Sequence, residues 1–134
     1  MMENFNELSK DILVAMDSLD YETKEENLLK SELIINIGRF LSDEESYREN
    51  LNILSNTKNV ASEDSYYSDE VFNKVATDIV VSIGSLEYQD IDMKMLKVEL
   101  LLNISRFLNT QKDYYRNISV LNEFVKSESV LKYK

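Results

Sequence analysis

Glu32, Asn36 and Arg39, a carboxylate, an amide and a guanidinium spaced four and three apart, lie along one edge of an apolar stretch. The pattern returns as Glu99, Asn103 and Arg106. On an α-helix these spacings place the three side chains in a row. A carboxylate, an amide and a guanidinium in a row could move a proton, hold a polar ligand, or satisfy one another as an internal network. Apolar residues flank both rows, so the network is the expected use. The two rows should meet and set the register of two halves, with Arg39 and Arg106 at least partly buried. Catalysis has weak support, because the chain contains no His and no Cys. That excludes an imidazole base, a thiolate nucleophile, zinc clusters, disulfides and haem ligation by either residue. A four-helix di-metal centre needs Glu-x-x-His pairs that are missing here. The acidic runs Glu22 to Glu26 and Asp43 to Glu45 lack the Gly and alternating oxygens of a calcium loop. The expectation is therefore no catalytic residue, no cofactor and no metal, and a protein that is not an enzyme.

A second group of residues suits partner contact rather than reaction. Glu22, Glu25, Glu26, Asp43, Glu44 and Glu45 concentrate negative charge around two corners, and Tyr66 and Tyr67 offer large contact area at small entropic cost. The whole chain carries 25 acidic and 15 basic residues, a net charge of -10. Such a surface repels nucleic-acid phosphates and anionic membranes, so neither is an expected partner. The charge is uneven. Residues 1–67 hold 15 acids and 6 bases, a net of -9, whereas residues 68–134 hold 10 acids and 9 bases, a net of -1.

The elements that must carry these residues follow from composition and repetition. With 43% hydrophobic residues, Pro 0 and Gly 2 in 134 residues, the chain lacks the turn formers of β folds, and its apolar spacing of three and four predicts helices. Shifted by half its length, the sequence matches itself. Residues 6–54 and 73–121 share 19 identities in 49 ungapped pairs, among them Asp11/Asp78, Tyr21/Tyr88, Tyr47/Tyr114 and Asn50/Asn117. The prediction is an all-α fold of two tandem three-helix repeats, packed through their second helices as one pseudo-twofold bundle. Repeat one spans 1–59, a linker 60–67 and repeat two 68–134.

Helix starts are marked by Thr23 with Glu26, by Ser42 with Glu45, by Ser68, Asp90 and Thr110. The first helix is expected to bury Phe5, Leu8, Ile12, Met16 and Leu19, and its counterpart Val71, Val75, Ile79, Ile83 and Leu86. The acidic N-terminus and the lack of a long apolar run predict a cytoplasmic protein. The functional expectation is a non-enzymatic acidic helical protein that binds and inhibits or regulates a basic protein, such as one that itself binds nucleic acid. Phage and mobile-element inhibitors such as anti-CRISPR or DNA-mimic proteins, immunity proteins and antitoxins are of this type. The alternative is a homo-oligomeric structural or adaptor module, such as a homodimer, that takes a partner helix in an apolar groove.

Overall fold

The computed structural model describes residues 2–56 and 67–132, and every regular element among them is a helix. In chain order these are α1 (Met2–Asp17), α2 (Lys24–Phe40), α3 (Glu44–Asn56), α4 (Asp69–Gly84), α5 (Ile91–Phe107) and α6 (Gln111–Lys132). Apart from Tyr67, the expected linker lies outside the described residues. Among those residues no helix is long and apolar enough to cross a membrane.

Local chemistry sets the helix starts. Thr23 caps α2, its Oγ1 accepting from the Glu26 N–H and donating to the Glu26 carboxylate at 2.6 Å. Ser68 caps α4 by accepting from the Val71 N–H, and Thr110 does the same for Asp113 at the start of α6. At α3 the cap is one residue later than the Ser42 box predicts. Asp43 accepts from the Ser46 N–H at 2.7 Å, because a carboxylate is the stronger acceptor for an orphan N–H in a region of positive helix dipole.

Each helix turns one apolar line inward. Phe5, Leu8, Ile12 and Met16 of α1 are fully buried, as are Phe72, Val75, Ile79 and Ile83 of α4. Phe72, not the half-buried Val71, heads the α4 line. The two first helices pack on each other, α1 also contacts α5, α4 also contacts α2, and α3 packs on α6. This corrects the expectation that the second helices form the main seam. The contact between α2 and α5 centres on their C-terminal ends, where Phe40 and Phe107 stack with centroids 4.8 Å apart and planes within 4°. The buried lines of α2 and α5 are taken up by α1 and α4, each of which lies against both of them.

Candidate functional site

Glu32 and Asn36 of one row, and Glu99 and Asn103 of the other, are bound by a tyrosine from the opposite half of the chain, where the expectation was that the two rows meet each other. Tyr114 of α6 is fully buried, and its hydroxyl donates to Glu32 Oε2 at 2.8 Å while accepting from Asn36 Nδ2 at 2.7 Å. Tyr47 of α3, also fully buried, donates to Glu99 Oε2 at 2.9 Å and accepts from Asn103 Nδ2 at 2.7 Å. The Arg48 guanidinium binds the same Glu99 oxygen. Burial pushes both phenols well above the ordinary tyrosine range and the Glu32 and Glu99 carboxylates add to this, while the asparagine amides oppose it. Both hydroxyls therefore stay neutral donors, which fits them to bridge a carboxylate and an amide rather than to act as a base.

Arg39 and Arg106 are exposed, and this overturns their expected burial. The physical reason is desolvation. A neutral phenol supplies the proton that a half-buried carboxylate needs, whereas a guanidinium would have to leave water to do so.

Further hydrogen bonds link distant parts of the chain, three of them between its two halves. Tyr21 donates to Asp78 Oδ2 and Tyr88 to Asp11 Oδ2, both at 2.7 Å, and burial followed by these carboxylates pushes both phenols up. Lys74 Nζ donates to Glu26 Oε2 at 2.5 Å. Gln111 is buried and clamps the entry to α4, accepting from the Tyr67 N–H at 2.9 Å and donating to the Tyr67 carbonyl at 2.8 Å. None of these contacts was assigned from sequence. The usable signal was the set of polar identities, Asp11/Asp78, Tyr21/Tyr88 and Tyr47/Tyr114, standing in register within otherwise apolar lines.

A comparison with protein-family models, curated proteins and solved structures finds no match to this chain.

The residues expected to meet a partner divide into several environments. Glu22 and Glu25 are exposed at the α1–α2 corner. Asp43 and Glu45 are exposed at the α2–α3 corner, roughly 25 Å away across the length of α2. Glu44 is half-buried and pairs with Arg48 at 3.7 Å. Glu26 is buried, and the hydrogen bond from Lys74 and then that from Thr23 hold its carboxyl below the usual range, so it is not a surface acid. Tyr67 is half-buried against Gln111, with its phenol pushed up by burial and by Glu32 and Glu25; Tyr66 lies outside the described residues.

A shallow groove along α1 joins the two acidic corners. Asn6, Lys10, Leu13 and Val14 line it, Asp17 stands at one end and Asp43 at the other. The groove at the matching positions of α4 is lined by Asn73, Thr77, Val80, Leu108 and Asn109, with no carboxylate. At matching positions of the two halves, Glu7, Glu45 and Glu49 stand where the second half has Lys74, Lys112 and Arg116, and Asp17 where it has Gly84. Among the described residues no three carboxylates gather to hold a metal ion.

Proposed function

We propose that the chain is a non-enzymatic interaction protein made of two copies of one three-helix unit, related by a pseudo-twofold axis, whose first copy docks on a basic protein surface and blocks or regulates it. The duplication is supported by the self-match of the sequence and by contacts that recur at the same shift: Tyr21–Asp78 with Tyr88–Asp11, and Tyr114–Glu32–Asn36 with Tyr47–Glu99–Asn103. One observation carries the docking reading. The α1 groove has an aspartate at each end, while its counterpart on α4 has no carboxylate in its lining.

Spaced carboxylates over a polar-apolar groove suit a helix or strand rich in Lys and Arg, including surfaces that otherwise hold phosphates. A partner inhibited in this way, as by anti-CRISPR, DNA-mimic or immunity proteins, would be a nucleic-acid enzyme or a basic toxin of the source cell. The test is parallel affinity capture with the parent chain and with the Asp17→Lys/Asp43→Asn/Glu45→Lys variant, in which the asparagine introduced at position 43 keeps the α3 cap. A basic protein retained by the parent and lost from the variant supports the reading. Equal capture by both removes the groove from it.

A further inference from the structure

Helix α5 is apolar on two opposite faces. Met93, Leu100, Ile104 and Phe107 face the core, whereas Ile91, Met95, Val98 and Leu102, spaced four, three and four, form a second line on the outer side. Each of these four is 50–66% exposed. Their spacing is that of the a and d positions of a two-helix seam. The core already has its face of α5, so the outer line has no use inside the fold, and it costs solubility unless something covers it. On α2 the matching line reads Lys24, Leu28, Ser31 and Ile35, and the two polar residues break it.

We propose that α5 is the interface of a homodimer, in which the Ile91, Met95, Val98 and Leu102 line of one copy packs in parallel on the same line of a second copy. Charge permits a second copy as the occupant, and the self-complementary edges of the line favour it. Two chains of net charge -10 repel, but residues 68–134 carry only -1, so a joint made through this half is the one that charge opposes least. The edges of the line select the orientation. Asp92 and Glu99 flank it on one side and Lys94 on the other, so a parallel pair sets Lys94 of each copy beside Glu99 of the other, where it adds to the Tyr47 and Arg48 contacts that this carboxylate already has. An antiparallel pair would set Asp92 against Glu99. Area is sufficient: the line offers roughly 400 Å² per copy, and with its flanking residues the pair passes the ~1,000 Å² of a specific interface. The dimer surface lies in the other half from the α1 groove and does not depend on the docking reading.

Sedimentation velocity on the full chain at tens of micromolar tests this. The parent should run at twice its chain mass, and Met95→Glu/Val98→Glu at one, with unchanged far-UV circular dichroism because both sites are exposed in the single chain, and with a melting temperature that no longer rises with protein concentration as the parent's does. Leu28→Glu/Ser31→Glu on α2 should leave the dimer intact. Lys94→Glu should raise the dissociation constant several-fold. A parent of single-chain mass at every concentration, or a dimer that survives Met95→Glu/Val98→Glu, overturns the proposal. So does a single-chain parent that floats with phosphatidylcholine vesicles through these residues, which would assign the line to a lipid surface.

Discussion

Replacing Tyr114 by Phe removes one oxygen from a fully buried ring and leaves the ring's packing against Phe72 and Phe107 in place. Two bonds disappear, the donation to Glu32 and the acceptance from Asn36. A hydrogen bond to a charged group contributes about 1.5–3 kcal/mol and a neutral one about 1 kcal/mol. Glu32 and Asn36 are half-buried and regain water in the variant, which returns part of that sum. The expected cost is about 2 kcal/mol. Tyr47→Phe removes the matching oxygen, but Arg48 still holds Glu99, so the expected cost is about 1 kcal/mol. Urea unfolding followed by circular dichroism measures both, with an unchanged slope expected for so small a change in exposed surface. Costs below about 0.5 kcal/mol for both variants would show that the tyrosines do not join the halves energetically. A larger cost for Tyr47→Phe than for Tyr114→Phe would refute the compensating role of Arg48.

Arg39→Ala and Arg106→Ala should each change stability by no more than about 1 kcal/mol, as exposed charges do, and thermal melts check this. The raised phenols of Tyr47 and Tyr114 stay protonated in the fold above the pH at which unfolded tyrosines ionise. Their stabilisation is thus complete below the ordinary value of 10.0 and is lost as pH rises beyond it. The expected slope is about 1.4 kcal/mol per pH unit for each of these two buried groups. Urea midpoints against pH, with tyrosinate absorbance, should show ionisation coupled to unfolding; titration of all eight tyrosines at the ordinary value with the fold intact would contradict it. The lowered Glu26 carboxyl has the opposite sign. Its stabilisation is present above the unfolded carboxylate value and is lost as pH falls through the folded one, so Glu26→Gln should show a shallower acid limb in a melting-temperature profile.

Helix order, the inward lines and most caps were legible because each depends on spacing within about one turn of chain. Phe5, Leu8, Ile12 and Met16 declare a helix face by periodicity alone, and all four are buried. The partner of each polar residue was not legible, because it depends on which helices touch. Glu32 and Arg39 share an edge of α2, yet Glu32 is bound by Tyr114 from α6 and Arg39 faces solvent. Glu26 reads as one more corner acid until α4 brings Lys74 against it. The line of Ile91, Met95, Val98 and Leu102 on α5 stands out only once the opposite face is known to be the core.

The docking claim is tested most directly by the association rate constant between this chain and the basic protein that it captures, measured across a salt series. The rate should fall steeply with ionic strength for the parent and be roughly tenfold lower at low salt for Asp17→Lys/Asp43→Asn/Glu45→Lys, the two converging at high salt. Lys112→Glu, at the position matching Glu45 in the second half, should leave the rate unchanged. A rate indifferent to salt, or equal in the parent and the triple variant, would contradict the claim that the acidic first half makes the contact.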